Sequence, residues 1–316
     1  MFISANFTVE SALQSLVGGM AIGALAVVRT YCTKGLLTCA TPVLWLTTST
    51  TLFAVGLRHF YPSTIFEEIP QTLGWGKVVA SGVLVGLGAK LGQGCTSGNG
   101  IQGLSALSVA SFVHVATFMA SGVVTAVVCS DSAELPTTAP TQAPVLPLLA
   151  VSLIGIAAQL LRRQPAPSAA VVVATDIAAG CSFAASLVVA QMIHRSKVLG
   201  FLDVTNRTFG WDPSLMLVMG GALCVALPAY QSLGLLARAS AEVQAWAARP
   251  VTPLVVVGGL MFGAGWGLGG WCPGPAMVTC GTLDAKALAF TACMFGSRFA
   301  YEGLLQFQAA KPQKSS

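Results

Sequence analysis

Charged residues are scarce in this sequence. Only 9% of its 316 residues are Asp, Glu, Lys or Arg, whereas 54% are hydrophobic, and the mean hydropathy is +0.76. A soluble domain carries about a quarter charged residues, so the composition excludes an ordinary soluble protein and predicts a chain that crosses a membrane several times. Most of the 16 basic and 11 acidic residues lie between apolar segments. That distribution is typical of topology signals and not of a nucleic-acid-binding surface.

The sequence also lacks the usual motifs for a disulfide scaffold, a metal or a cofactor. Its nine cysteines are dispersed, without CxxC or Cys/His metal spacing. Residues 98–103 match GxGxxG, but a dinucleotide fingerprint needs a preceding strand and an acidic residue about 20 positions later. Here an apolar segment of membrane length precedes the motif, and residues 116–126 hold no acid. We therefore expect no metal and no cofactor. The first six residues lack a basic region, so no cleavable signal peptide is predicted.

Long apolar segments recur along the chain. About 20 apolar residues span the hydrocarbon core, which predicts nine helices, at 9–29, 40–57, 72–93, 108–129, 145–161, 169–194, 214–236, 253–271 and 283–304. The sequence thus predicts an all-α integral membrane protein. A polar, proline-rich linker at 130–144 is expected between an N-terminal half (1–129) and the remainder, which comprises a connecting helix and loop (145–168) and a C-terminal half (169–316).

Basic residues between the predicted helices give an orientation. One side of the nine-helix arrangement holds Arg29, Lys34, Arg162, Arg163, Arg238, Arg249, Lys311 and Lys314. The positive-inside rule makes that side cytoplasmic, with the N-terminus outside and the C-terminus inside. Arg195, Lys197 and Arg207 are exceptions on the outer side. We expect a plasma or inner membrane.

Internal repetition is visible at a fixed spacing. Three times a glycine is followed by a second glycine four positions later and by a cysteine thirteen positions later: Gly19, Gly23 and Cys32; Gly82, Gly86 and Cys95; Gly259, Gly263 and Cys272. A fourth copy at Gly180 has Ala184 and Ile193 at these positions. The connecting helix reverses the second half, so the sequence predicts inverted repeats, as in many secondary transporters.

Two of these cysteines stand where glycine and proline interrupt an apolar segment, in Gly94-Cys95-Thr96-Ser97-Gly98 and Trp271-Cys272-Pro273-Gly274-Pro275. Non-helical backbone at membrane depth is tolerated only where it is buried in protein or lines a cavity. Half-helices beginning near Thr96 and Pro273 would direct free N–H groups at one site, which favours an anion. The predicted pathway residues are Cys95, Cys272, Cys32, Thr96, Gly98, Gly100, Pro273, Gly274 and Lys90.

Each signal has a structural alternative. Small residues four apart occur at many membrane helix interfaces, and a free cysteine in an apolar run also serves as a small hydrophobe. Lys90 either attracts an anion near the break or extends toward the membrane surface. His114 and Asp176 either pair in a proton relay or make separate structural hydrogen bonds, and Arg298 is a further intramembrane charge.

The same stretches resemble the YeeE/YedE sulphur transport family. The N-terminal module is matched by residues 94–104 and by Phe118-Met119-Ala120-Ser121-Gly122. The C-terminal module is similar to residues 197–203, 211–215, 218–222 and 272–276. The resemblance implies a thiosulfate-type uptake protein with pseudo-symmetric halves, re-entrant half-helices and pathway cysteines. Cys95 and Cys272 match directly and Cys32 only loosely, while the turn at 191–195 departs from the expected Gly-, Thr- and Asn-rich pattern.

The resemblance thus predicts uptake of thiosulfate or a related small sulphur-containing anion by a protein that is not an enzyme. A soluble sulphur-carrier protein on the cytoplasmic side is an expected partner. Two other classes stay open at this stage. A membrane-embedded sulphur transferase or oxidoreductase would use Cys95 as a nucleophile, although no base is paired with it at recognisable spacing. A membrane subunit without transport activity is the other alternative.

Overall fold

The structure is a computed structural model that describes residues 7–33, 44–61, 65–130, 144–163 and 168–309. Within these ranges the ordered elements are all helical. They comprise α1 (Val9–Thr33), α2 (Leu44–Phe60), α3 (Trp75–Leu91), a π-helical segment (Thr96–Gly103), α4 (Val109–Cys129), α5 (Val145–Ala158), a 3₁₀ turn (Gln159–Arg163), α6 (Ala169–Val189), α7 (Arg195–Leu202), α8 (Ser214–Ser232), α9 (Leu235–Arg238), α10 (Ala241–Ala247), α11 (Pro253–Gly269), α12 (Pro273–Thr279), a second 3₁₀ turn (Cys280–Thr282) and α13 (Ala285–Ala309).

Six helical segments of the described chain are long and apolar enough to cross a membrane. They are Val9–Thr30, Trp75–Gly103, Val109–Cys129, Ala169–Val189, Ser214–Ser232 and Pro253–Thr282. The prediction of an all-α, multi-pass membrane protein is confirmed. The other three predicted spans coincide with α2, α5 and α13, which fall outside this set, so a total of nine stays a prediction.

Glycines set the packing of the long helices. A Cβ on Gly19 or Gly23 of α1 would overlap backbone carbonyls of α8, and one on Gly82 or Gly86 of α3 would overlap those of α13. In the same way, α11 packs on α4 through Gly263. Without a side chain, two helices approach until their backbones touch, which is how small residues drive helix association in lipid.

The resulting pairs are reciprocal between repeats. In chain order the four repeats begin with α1, α3, α6 and α11. The helix α1 of repeat one packs on α8 of repeat three, and α6 of repeat three packs on α2 of repeat one. Repeats two and four exchange partners in the same manner, because α3 packs on α13 and α11 packs on α4. This arrangement supports the predicted repetition, and the inversion of the repeats stays a prediction.

Two hydrophobic cores follow from these pairs. The first is built mainly from α1, α2, α6 and α8, and the second mainly from α3, α4, α11 and α13. Each core therefore draws on both halves of the sequence. The linker predicted at 130–144 lies, apart from its two end residues, outside the described residues, so the division into sequence halves also stays a prediction.

Candidate functional site

The helix α3 ends at a break that Asn99 holds together. The backbone reverses through Gln93, in the left-handed region at φ 53°, and Cys95 follows in an extended conformation as the residue before the π-helical segment. The Asn99 side chain donates from Nδ2 to the carbonyl of Gly92 at 3.2 Å and accepts at Oδ1 from Ser111 Oγ at 2.9 Å. The carbonyl that the helix end leaves unpaired thus gains a partner.

The helix α11 ends in a closely similar way. Gly270 is left-handed at φ 75°, a conformation that glycine adopts without strain at a helix C-terminus. Cys272 is again extended and directly precedes a helix, with φ and ψ of −110° and 168° against −97° and −166° for Cys95. Pro273 occupies the first position of α12, where its missing N–H costs no hydrogen bond. Both predicted breaks are therefore present.

The two breaks meet at one cavity of about 330 Å³ between the two cores. Cys95 and Cys272 line it and are only 2% and 3% exposed. The thiol of Cys272 shares a hydrogen bond with the Thr96 side chain and lies near Cys95. The Cys95 sulphur lies 3.2 Å from Ser97 Oγ. Residues far apart in sequence thus form a compact group of weak donors.

The rest of the cavity wall is apolar and rich in sulphur. Four of its residues are methionines, namely Met119, Met192, Met216 and Met219. The aromatic residues are Phe118, Phe183, Phe201 and Trp266. Trp266 is 2% exposed, and its Nε1 has no hydrogen-bond partner within the described part of the chain. A buried indole N–H normally has a hydrogen-bond partner. The unpaired N–H of Trp266 is therefore typical of a site that accommodates an acceptor.

Four of the nine predicted pathway residues line this cavity, and three more are buried next to them in the chain. Thr96 and Gly274 line the cavity beside the two cysteines, and Pro273 is buried directly behind them. Gly98 and Gly100 are buried in the π-helical segment, where a Cβ on Gly100 would lie 2.9 Å from Met219 Cε. The residues matching GxGxxG form this segment, which follows the helix α3.

The other two predicted residues are Lys90, which lies away from the cavity, and Cys32, which is not at a break. Lys90 donates to Glu302 Oε1 at 2.7 Å on α13 and lines a separate pocket with Trp246 and Arg298. The predicted break at Cys32 does not occur there, because α1 continues as a helix through this residue to Thr33, and the side chain of Cys32 lies outside the described residues. Roles for Lys90 and Cys32 in the pathway stay predictions.

The other intramembrane charges have separate partners. His114 Nδ1 lies 3.1 Å from the Val255 carbonyl, whereas Asp176 accepts from Arg29 at 3.0 Å, so the two do not pair with each other. Arg29 is 6% exposed inside α1, although the count of basic residues had placed it at the cytoplasmic surface. Each of these groups has a structural role that its contacts explain.

Sequence reasoning missed several residues of the site. Ser97 and Asn99 lie within the motif but were not singled out, and Arg249, which donates to Asn99 Oδ1 at 2.6 Å, comes from the distant loop before α11. The methionines and Trp266 look like ordinary apolar helix residues in sequence. One sequence signal could have identified Met192: the turn at 191–195 departs from the Gly-, Thr- and Asn-rich pattern. Met192 lines the cavity there, directly after the left-handed Gln191.

The fold and the site define a class: a multi-pass, all-α membrane protein in which two interrupted helices enclose a small cavity, as in many membrane transporters. Comparisons with known proteins narrow this class. A family model described as sulphur transport matches residues 68–125, and a model described as a family of unknown function, DUF6691, matches residues 170–313.

Two curated relatives come from Xylella fastidiosa, strains Temecula1 and 9a5c, and each is described as a probable transporter. Both are 37% identical to this chain over 120 residues, a match that covers 37% of the chain and 80% and 81% of the relatives. This chain belongs to the YeeE/YedE sulphur transport family and is a membrane transporter. The residues matched by the sulphur transport model include the break at Cys95.

Proposed function

We propose that this transporter takes up thiosulfate or a related small sulphur-containing anion through the cavity between its interrupted helices. The observation that carries the proposal is the convergence of Cys95 and Cys272 on that cavity. The two cysteines are equivalent in the repeats, have nearly the same backbone conformation and lie on segments 177 positions apart. If the two cysteines only filled space in the core, they would not need to lie at helix breaks beside the same polar residue, Thr96.

The chemistry of the cavity suits a soft, divalent anion better than a hard one. Thioether and thiol sulphur is polarisable and packs well against another sulphur atom, while an anion in an apolar cavity needs hydrogen-bond donors. The Thr96 and Ser97 hydroxyls, the two thiols and the Trp266 N–H supply them. The thiols act as neutral S–H donors in this account, because a thiolate would repel the anion.

The direction of transport follows from the proposed topology. With the N-terminus outside and the C-terminus inside a plasma or inner membrane, the end of the cavity near Met192 faces the outside. The broken segments then approach the cavity from opposite sides as inverted repeats. On the cytoplasmic side, Cys32 is the next thiol along the pathway, and a soluble sulphur-carrier protein is the proposed acceptor of the anion.

Uptake of labelled thiosulfate into proteoliposomes tests the proposal. The native chain is compared with Cys95→Ala, Cys272→Ala and Cys95→Ser, with Cys224→Ala as the matched control because Cys224 is exposed on α8. A hydrogen bond to a charged group contributes about 1.5–3 kcal/mol, so we expect each alanine variant to lose roughly tenfold or more in kcat/KM while the control is unchanged.

Serine keeps a donor but lacks the size and softness of sulphur, so Cys95→Ser should retain only part of the uptake. Full uptake by Cys95→Ser would count against a role specific to sulphur. Normal uptake by a Cys95→Ala, Cys272→Ala double variant would contradict the pathway altogether. A stable persulfide on Cys95 after turnover would instead favour a sulphur transferase.

A further inference from the structure

A buried carboxylate outside the cavity has no part in the pathway described above. Glu67 lies in the segment between α2 and α3, and its side chain is 5% exposed. Its two oxygens accept hydrogen bonds from the backbone N–H of Ser196 at 3.3 and 3.2 Å, and Oε2 also accepts from Ser196 Oγ at 2.8 Å. A buried carboxylate is costly unless a charged partner balances it, and Ser196 is neutral, which makes Glu67 a candidate for a functional group.

An imidazole lies against the same carboxylate. His194 Nδ1 is 4.0 Å from Glu67 Oε2, its side chain is 6% exposed, and this nitrogen has no hydrogen-bond partner in the part of the chain that the structure describes. A carboxylate and an unpartnered imidazole nitrogen at this distance can hold one proton between them after a small movement. The pair has the composition of a proton-binding site.

Several charged groups lie near the pair. Burial raises the pKa of Glu67 above its ordinary value, and the hydrogen bonds from Ser196 and the charge of Arg195 only partly offset that effect. Burial and the charge of Lys197 lower the pKa of His194 to about 3, so the imidazole is neutral and can accept a hydrogen bond from a protonated Glu67. The Lys197 ammonium itself contacts Ser11 Oγ at 2.6 Å and Asp212 Oδ2 at 3.6 Å. The remaining charged groups near this segment are Arg58, Glu68, Asp284 and Lys286.

Glu67 faces a polar cavity on one side. The residue lines a polar cavity of about 570 Å³ together with Arg58, Glu68 and Asp284. Glu67 lies at the end of the molecule where α1 begins, because its partner Ser196 is next to Lys197, which donates to Ser11. In the proposed topology that end is the outer one, so the group is placed to exchange protons with the outside.

On its other side Glu67 is linked to the substrate cavity. Ser196 belongs to α7, whose Phe201 lines that cavity, and the turn before α7 contributes Met192. Arg195, the first residue of α7, donates from Nε to the Gly269 carbonyl at 2.8 Å, three residues before Cys272. A carboxylate at the N-terminus of α7 stabilises the helix, and protonation weakens that contact. Proton binding at Glu67 therefore alters the outer wall of the cavity.

Energetics supply the reason for such a link. A divalent anion that enters a negatively charged interior moves against the membrane potential, and bound protons offset that charge. From the geometry we propose that the Glu67 carboxylate, with His194 sharing the proton, is a proton-binding site that couples proton entry to uptake of the anion. The inference rests on the proposed function.

Proteoliposomes with an imposed acid-outside gradient test this coupling. Native uptake of labelled thiosulfate should rise severalfold with the gradient and lose that gain when a protonophore is added. Glu67→Gln should transport without any response to the gradient. Glu68→Gln is the matched control, because it removes the neighbouring carboxylate from the same polar cavity, and it should respond as the native chain does.

The outcomes separate the two proposals. Native uptake that ignores the gradient overturns the coupling and leaves the proposed function intact, as does a gradient response in Glu67→Gln equal to the native one. Absence of native uptake under both conditions overturns the proposed function and the coupling together. If Glu67→Gln does not fold, a measurement on the native protein still tests whether Glu67 binds the proton. Infrared difference spectra with and without thiosulfate should then show a protonated carboxyl band on binding, and an unchanged carboxyl region contradicts the site.

Discussion

At the scale of the residue, the buried N–H of Trp266 is the donor whose role is easiest to isolate. Its ring packs edge-on against Phe118 at 5.8 Å and is held there whether or not Nε1 has a partner. Trp266→Phe keeps an aromatic ring and removes the donor. If the N–H binds the anion, the change removes a charge-assisted hydrogen bond of about 1.5–3 kcal/mol, and the KM for thiosulfate should rise roughly tenfold or more with little loss of thermal stability.

Trp75→Phe is the matched control for this variant, because Trp75 begins α3 and is 55% exposed. Equal KM values for the native chain and Trp266→Phe would remove Trp266 from the binding site. A large fall in melting temperature with the same KM would show that the indole serves packing only.

Individual site residues differ in how far sequence predicts them. Cys95 and Cys272 were predictable because the neighbouring glycine and proline residues interrupt an apolar helix. Such a break at membrane depth indicates a cavity or a buried site. Trp266 and Met219 were not predictable, since nothing in an apolar helix distinguishes a side chain facing a cavity from one facing the core. Lys90 shows the same limit: α3 is apolar on all sides, so its sequence does not tell which face turns to the cavity.

At the scale of the element, the three breaks in the described chain share one backbone design. A left-handed residue stands two positions before the expected break in each: Gln93 before Cys95, Gln191 before Ile193 and Gly270 before Cys272. The third break keeps this geometry without glycine or cysteine, because the Gln191 side chain bonds Ser11 and Gln14 and so stabilises its strained turn. The thirteen-residue spacing therefore predicted three breaks correctly, whereas the one expected at Cys32 is helical.

The glycine pairs make a second prediction at this scale. Gly86→Val places a side chain against the Met294 carbonyl of α13, whereas Gly296→Val on α13 itself has nothing within 4 Å of the new Cβ. Overpacking of a close contact typically costs about 1–3 kcal/mol. We expect Gly86→Val to lower the melting temperature of the purified protein by several degrees.

Gly296→Val should stay near the native melting temperature, because it adds the same β-branched side chain to open space. If both variants melt alike, the close approach of α3 and α13 does not contribute to stability, and the reading of the repeated glycines as packing positions is wrong.

At the scale of the whole molecule, the exchange of helices between repeats explains where the cavity lies. Each core combines one repeat from each half of the sequence, and the cavity forms where the two cores meet. The rough limits of the six long apolar helices could be predicted from hydropathy, whereas the total of nine spans stays a prediction. The partners of the helices could not be predicted, because an apolar helix such as α11 offers glycine contacts on more than one face, and only the folded chain selects between them.

In the proposed function, Cys95 and Cys272 together line the place where the transported anion binds. The most direct measurement is an experimental structure of the full chain at a thiosulfate concentration that saturates binding, as established by calorimetry on the same sample. We expect density for one anion in the cavity, in contact with both cysteine sulphurs, with Thr96 and with the Trp266 N–H. An empty cavity in that saturated sample, with the anion ordered elsewhere, would contradict it.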